Sequence, residues 1–357
     1  MMHSQPEQVI KESDLQSSSR HKLLEQIEHI RRLSPDLCST IDLTRIMEND
    51  CPLSIPAATS RVFDFESVAQ GGRGELYRSA QQNPLVRIVG IRQVFTLAAQ
   101  GHDLANLSPK YKILDVLGGD GTLARALSTL IPSSSMPSIL TSDLSEYMVA
   151  AAQSYGLASL RQPAQYLLLK DACFDAVIIA YGAHHIPLDQ RLQVCQEAFR
   201  VLKPGGNIVF HDFENNSPVA CWFHEVVDCY SLTGHDFPHF IPQEIKNCLR
   251  DAGFGKVNVQ YMYDPLILSA DSPQQVELAL GEHLLSMYGL VKLIDERSKQ
   301  DIWRSVYTLA LKYFRYDYQN MGLHASFGAP HIQTSQKENH WYIELPRVAL
   351  LGTAIKP

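Results

Sequence analysis

Imidazoles and carboxylates crowd one stretch of this chain. His184 and His185 follow one apolar run, and His211 and Asp212 end the next. The segment "CWFHEVVDCYSLTGHDFPHF" then adds His224, Glu225, Asp228, His235, Asp236 and His239 among Trp222, Phe223, Tyr230, Phe237 and Phe240. Histidine ordinarily titrates near neutrality, so His184, His185, His211 and His224 are the candidate proton acceptors. On a helix, His224 and Asp228 would share a face at i and i+4, a base with its orienting carboxylate. Taken singly, the same residues suit a solvated polar loop. The spacing is irregular and assigns no metal, although His211, Asp212 and His235 or His239 are residues of the ligating type.

A second stretch, "YKILDVLGGDGTLARALSTL", sets Gly118, Gly119, Asp120 and Gly121 between a dense apolar run and a helix. A turn that tight lets the backbone approach a ligand closely. Gly119-x-Gly121-x-x-Ala124 satisfies a dinucleotide pattern, a weak signal by itself. Asp120 lies at the positive end of the coming helix, where phosphates dock, and its carboxylate would repel them. It would sit comfortably near a cationic sulfonium.

These residues need a frame. From residue 112 apolar runs and helical stretches alternate. Strands are expected at 113–117, 138–143, 165–168, 176–181, 207–211 and 256–263, and helices at 122–131, 145–155, 188–202 and 242–251. That rhythm predicts a doubly wound parallel α/β sheet. Residues 1–108 read as a mainly helical lead-in. Its tail frays to about residue 18, Leu23, Leu24, Ile27, Ile30 and Leu33 form one helical stripe, and a second helix covers 84–100. Residues 109–264 form the binding core, 265–335 a helical insertion that caps the substrate, and 336–357 the strands that finish the core sheet. The insertion's Met287, Tyr288, Trp303, Tyr307 and Phe314 suit either helix packing or the wall of an acceptor pocket.

The 357 residues carry a formal net charge of −7, which disfavours a nucleic-acid backbone as partner. Seven scattered cysteines without a C-x-x-C pair fit a reducing cytoplasm. The first residues show no signal-like apolar segment, and no window approaches a membrane span. A homo-oligomer is compatible with all of this.

"ILDVLGGDGTLARAL", "ILTSDLSEYMV", "FDAVIIAYGAHHIP" and "EAFRVLKPGGNIVFHDF" resemble the ordered motifs of class I S-adenosylmethionine-dependent methyltransferases. The resemblance covers about residues 110–263. It implies a seven-stranded, mostly parallel sheet with an antiparallel last strand, and S-adenosyl-L-methionine as cofactor, released as S-adenosyl-L-homocysteine. By position, Asp115 resembles the acid that anchors the methionine end. Leu117, Gly118, Gly119 and Gly121 form the loop beneath the ligand. Asp143 resembles the acid that accepts both ribose hydroxyls. Leu144 and Met148 fall on the adenine side, and Ala180 and Tyr181 on the methyl-donating side.

Two positions depart from the family pattern. Leu117 stands where glycine is usual. Pro163 stands where an acid often holds adenine, which leaves Gln165 or backbone groups for that task, with Asp171 as the alternative. Arg73, Tyr77 and Arg78 are candidates to close over the methionine carboxylate.

The expected function is methyl transfer by in-line displacement to a small apolar or aromatic metabolite, in the manner of natural-product tailoring enzymes. The region "AYGAHHIP" lacks the Asn-Pro-Pro-aromatic loop that holds a flipped base. Two alternatives stand beside it: a non-methylating cyclase or rearrangement enzyme of the same fold, and an NAD-dependent oxidoreductase.

Overall fold

A computed structural model describes residues 12–47 and 64–357. Most of the expected frayed tail, and Cys51, lie outside the described residues. The lead-in comprises α1 (Glu12–Leu33), α2 (Pro35–Cys38), α3 (Leu43–Met47), α4 (Gly74–Gln81) and α5 (Ile88–Ala98). The tail reading is corrected at its end, because α1 already begins at Glu12. The stripe is narrower than expected. Leu23, Ile27 and Ile30 are buried, whereas Leu24 and Leu33 face solvent. Pro84 opens a 3-10 turn, Pro84–Arg87, with the Asn83 side chain accepting from the Leu85 amide (3.1 Å). That turn runs straight into α5.

The core then alternates: β1 (Lys112–Val116), α6 (Thr122–Leu130), β2 (Ser138–Asp143), α7 (Glu146–Ser154), β3 (Ser159–Arg161), β4 (Phe174–Ala180), α8 (Arg191–Val201) and β5 (Leu202–Phe213). After it come α9 (Pro218–Trp222), a π-helical turn Phe223–Val227, α10 (Asp228–Tyr230), α11 (Pro242–Asp251) and β6 (Gly255–Tyr263). Then follow β7 (Leu266–Ala270), α12 (Pro273–Tyr288), α13 (Lys299–Tyr313), β8 (Gln333–Lys337), β9 (His340–Leu345) and β10 (Val348–Ile355).

The main sheet has seven strands in the order β3-β2-β1-β4-β5-β10-β6. Its ladders are parallel except those of β10, which runs antiparallel to both β5 and β6. The expected sheet is thus present. Strand order reverses between β1 and β4, and in open α/β sheets that reversal opens the ligand crevice.

The third strand lies elsewhere than expected. It is Ser159–Arg161, three residues long at the sheet edge, not 165–168. The run Leu167–Leu169 is extended and buried, but its backbone bonds the lead-in. The Asp42 amide donates to Leu168 O (3.0 Å), and the Lys170 amide to Thr40 O (2.8 Å). The apolar signal there marks a packing surface for the lead-in.

The closing segment is also corrected. Only β10 joins the main sheet, whereas β9 pairs with β7 and β8 in a separate antiparallel sheet. The expected helical insertion is therefore two helices and this small sheet, with one apolar core shared with α9. α12 approaches α13 closely at Gly281, where any Cβ would strike the Trp303 carbonyl. Met287 and Phe314 are buried in that core, with Trp303 and Tyr307 packed against it.

Alternation along the strands assigns side chains to the two faces of the sheet. On β4 and β5, Ile178, Ala180 and Val209 face α5 and α6. Val177, Ile179, Ile208 and Phe210 face α8 and α11. By the same alternation His211 follows Val209, and Asp212 follows Phe210. Two neighbouring polar residues are thereby sent to opposite faces.

Candidate active site

β1 ends in a strained turn. Leu117 has φ of 60°, in the left-handed region where a Cβ is unfavourable, which explains why glycine suits this position. Tyr181, just past β4 across the crevice, has φ of 64°. Such strain gathers at functional sites. Gly118 must be glycine: a Cβ there would lie 2.6 Å from Asp115 Oδ2 and from Thr141 Cγ2. Gly121, with φ of 77°, begins α6.

Asp115 is buried, and its Oδ2 has no hydrogen-bond partner among the described residues. Its carboxyl is pushed up to about 8, by burial first and then by the charges of Asp143 and Asp120. A buried acid left open in this way is suited to a cationic or donating ligand group. Asp143 receives the Gly119 amide on Oδ2 (2.9 Å) and the Ser145 amide on Oδ1 (2.9 Å). Each carboxylate oxygen has a second lone pair, so two ligand hydroxyls can still donate to it. Burial pushes this carboxyl up to about 6. Leu144 and Met148 follow on the same side, Met148 fully buried.

Asp120 departs from the expectation. It is buried and held by Arg125 (2.7 Å) and the Thr122 hydroxyl (2.7 Å). Its charge is answered inside the protein and is not offered to a ligand. Gln165 sits half-buried in the loop after β3. Gln162, directly after β3, is buried. Its Oε1 accepts from the Leu168 amide (2.7 Å), and its Nε2 has no partner among the described residues. Misplacing β3 hid this residue.

The lead-in roofs the crevice. Glu66 caps α7 by accepting from the Glu146 and Tyr147 amides (2.8 and 3.0 Å). Phe65 packs edge-on to Tyr77 and His185 (5.1 and 5.3 Å between centroids). Arg73 does not reach toward the crevice. Asp64 holds it at 2.8 Å, and Arg73 donates to Met287 O of α12 (2.7 Å). Arg78 reaches the Tyr147 hydroxyl (3.3 Å). Of the three candidates, Tyr77 alone lies over the glycine loop, 4.0 Å from where a Gly119 Cβ would be.

Past β4 the two faces carry separate polar groups. On the α5 face, the Tyr181 hydroxyl donates to Asp264 Oδ1 (3.1 Å), and Arg347 pairs with Asp264 Oδ2 (2.7 Å). His211 lies against Tyr181 (4.2 Å between centroids), with Nε2 3.5 Å from Asp264 Oδ2. Beyond that ion pair, neither His211 nitrogen has a hydrogen-bond partner among the described residues. Gly90 lets α5 come close enough to touch Asp264. Arg87, 5% exposed, lies with its guanidinium 5.0 Å from the Tyr181 ring. Among the described residues no carboxylate pairs with it, and its Nε is unpartnered. Arg87, Asp264, His283 and Arg347 drew no attention in the sequence, because single polar residues in helices and loops leave no periodic signal.

On the opposite face, the Asp212 carboxylate accepts the His184 amide (2.8 Å), the Phe213 amide (2.7 Å) and His184 Nδ1 (2.9 Å). Burial pushes the Asp212 carboxyl up, but the charge and hydrogen bond of His184 hold it well below the usual carboxylate range. His239 stacks on His184 (4.9 Å), and His185 and His235 lie within ring contact of it. His224 is not part of this group. It is exposed on the rim of an outer cleft, and Asp228 instead accepts the His235 amide (2.5 Å). The π-helical turn that carries His224 breaks the i, i+4 spacing on which the expected pair rested.

Residues 113–206 match the family described as a methyltransferase domain. Over 186 residues the chain is 31% identical to the ubiquinone/menaquinone biosynthesis C-methyltransferase of Bartonella quintana, a match covering 43% of this chain and 70% of that enzyme. The chain belongs to the class I S-adenosylmethionine-dependent methyltransferases. The enzyme of the same description from Bartonella tribocorum is 34% identical over 142 residues, 37% of this chain. The match spans 50% of that relative's length. Phosphoethanolamine N-methyltransferase 2 of Haemonchus contortus, solved with S-adenosyl-L-methionine, aligns over 79% of this chain and 56% of its own at 16% identity and a TM-score of 0.47.

The cofactor of this methyltransferase is S-adenosylmethionine, and the crevice fits it: a bare-backbone loop, an open buried acid, and a second acid with two free lone pairs. Among the described residues no helix is long and apolar enough to cross a membrane.

The raised Asp115 carboxyl has a measurable consequence. An unfolded aspartate titrates near 3.9. A value of about 8 in the folded state means that folding favours the protonated form. That stability is complete below pH ~4 and is lost as pH rises toward 8. The thermal midpoint of the ligand-free protein should therefore fall across this window, and Asp115→Asn should flatten the fall. An unchanged slope in the variant would show that Asp115 titrates as an ordinary carboxylate.

Proposed function

We propose that this methyltransferase delivers its methyl group to a small apolar or aromatic metabolite that carries one acidic group, a phenol- or enol-type hydroxyl or a carboxylate. One observation carries this reading: Arg87 is a buried cation with no carboxylate at ion-pair distance among the described residues, in the company of Tyr77, Tyr181, Asp264 and Tyr288, and Asp264 is already bonded to Arg347 and Tyr181. A buried charge without a directly bonded counter-charge is costly, and an anionic ligand group would relieve it. The aromatic rings around it suit a flat acceptor. The relatives named above are described as C-methyltransferases of quinone biosynthesis. Methylation at a ring carbon asks for an electron-rich ring, which an ionised hydroxyl beside Arg87 would provide.

S-adenosylmethionine, held by Asp115 and Asp143, would supply an activated methyl group for in-line transfer to the acceptor. The chain's own residues position and exchange the proton. Asp115 and Asp143 fix the donor, and Tyr77 with Phe65 excludes water above it. His211, with Nε2 3.5 Å from Asp264 Oδ2 and no hydrogen-bond partner at Nδ1 among the described residues, would take the acceptor proton at Nδ1. Desolvation depresses the nearby His283 imidazole to about 3, with Arg87 and Arg347 adding to the shift, so His283 acts only as a neutral wall.

Incubation of the full chain with methyl-labelled cofactor and a panel of small phenols, enols and aromatic acids tests the reading. Arg87→Gln should lower kcat/KM by ~10–100-fold, the usual range for a lost charged hydrogen bond. Its affinity for S-adenosylhomocysteine should stay within about twofold of wild type. Collapse of that affinity would assign Arg87 to the methionine carboxylate and remove the acidic acceptor. Cofactor binding with no label transfer to any acceptor would favour a cyclase or rearrangement enzyme on this fold.

A further inference from the structure

We propose that His184, His235 and His239, with Asp212 behind His184, form a binding site for one borderline-soft divalent metal ion of the zinc type. It lies on the α8/α11 face, apart from Arg87 and His211 on the other face.

Three observations support it. First, the donors are assembled. His184 belongs to two sets whose ligand atoms lie within 4.8 Å of one another, one with His185 and His235, the other with Asp212 and His239. Closing these spacings onto the ~2.0 Å bonds of a zinc–imidazole centre requires the His239 ring, now stacked on His184 at an interplanar angle of 18°, to turn its edge toward the ion. Second, the nitrogens that would bind are idle. Among the described residues His184 Nε2, both ring nitrogens of His235, and His239 Nε2 are buried without hydrogen-bond partners. Leaving such atoms unpaired is costly, and one ion would satisfy three rings at once. Third, the support is of the metal-site kind. His184 turns Nδ1 to the Asp212 carboxylate at 2.9 Å, which fixes its tautomer and aims Nε2 away. A carboxylate holding the far nitrogen of a ligating histidine is the usual arrangement at zinc centres.

Access agrees. Two cations lie nearby, but each is already paired, Arg73 with Asp64 (2.8 Å) and Arg191 with Glu244 (2.6 Å). A cleft of about 420 Å³ opens on this side, with His235 and His239 in its wall and His224 at its rim. It gives the ion a path from solvent and leaves a coordination position for water or an acceptor oxygen.

The test is direct. The full chain is treated with chelator, dialysed and titrated with Zn2+ against a chromophoric competitor, and in parallel with Co2+. One equivalent should bind, and the cobalt form should show the intense visible absorption of a four-coordinate site. His235→Ala and His239→Ala should each weaken binding at least tenfold, with circular dichroism confirming the fold. His224→Ala should bind as wild type does. Should a variant fail to fold, the wild-type stoichiometry and cobalt spectrum decide. Absence of stoichiometric binding, an octahedral cobalt spectrum, or undiminished binding in folded His235→Ala would overturn the site.

Discussion

Replacing Asp212 by alanine should destabilise the fold by about 3–5 kcal/mol, the range seen when one partner of a buried pair is removed. The carboxylate is fully buried and accepts two backbone amides as well as the His184 ring. Alanine leaves all three donors stranded, and β5 cannot move to expose them because β4 and β10 clamp it on both sides. Asp212→Asn keeps one acceptor oxygen and should cost less. The depressed carboxyl also sets a pH signature. Its contribution is complete above about pH 4 and is lost as pH falls through the lowered folded value. Urea unfolding of wild type and both variants at pH 7, pH 4 and about pH 2.5, with a chelator present, measures this: the gap between wild type and Asp212→Ala should hold from pH 7 to pH 4 and narrow only below. A loss below about 1 kcal/mol in Asp212→Ala at pH 7 would mean that the His184 ring and both amides find other partners.

Asp143→Ala should weaken S-adenosylhomocysteine binding by about 1–3 kcal/mol, or ~5–150-fold, the usual loss when a buried hydrogen-bonding group is removed. Two effects add here. The ribose hydroxyls lose their acceptor, and the Gly119 and Ser145 amides lose the carboxylate that ties the glycine loop to α7. Asp143→Asn separates them, because an asparagine can keep one loop contact. Calorimetry with S-adenosylhomocysteine reads both variants. Unchanged affinity in the alanine variant would place the ribose elsewhere.

The sequence made the cofactor crevice legible because that crevice depends on strands, a tight turn and acids at strand ends. Asp115, Gly118, Gly119 and Asp143 could be found from a dense apolar run, a glycine cluster and the next strand's last residue. β3 was not legible. Three residues at a sheet edge bury too little to impose a pattern, while the neighbouring leucines pack on the lead-in and imitate a strand. The His224–Asp228 pair failed for a related reason: i, i+4 geometry assumes an α-helix, and a π-helical turn rotates the two apart. Asp120 was read as if its partners were solvent and ligand, but Arg125 on its own helix claims it. Arg87, Asp264 and Arg347 come from segments far apart in sequence, and their significance exists only after the sheet brings its ends together.

The place of β10 bears on how the molecule is made. β6 touches the main sheet only through β10, and β5 shows an unpaired edge until β10 arrives. The strand that separates β5 from β6 begins only at Val348, whereas β6 ends at Tyr263, and α12, α13 and the small sheet lie between them. During synthesis the half-built sheet must wait with an open flank, a state prone to sticking to its neighbours. These two helices and the small sheet would have to settle before that flank could close.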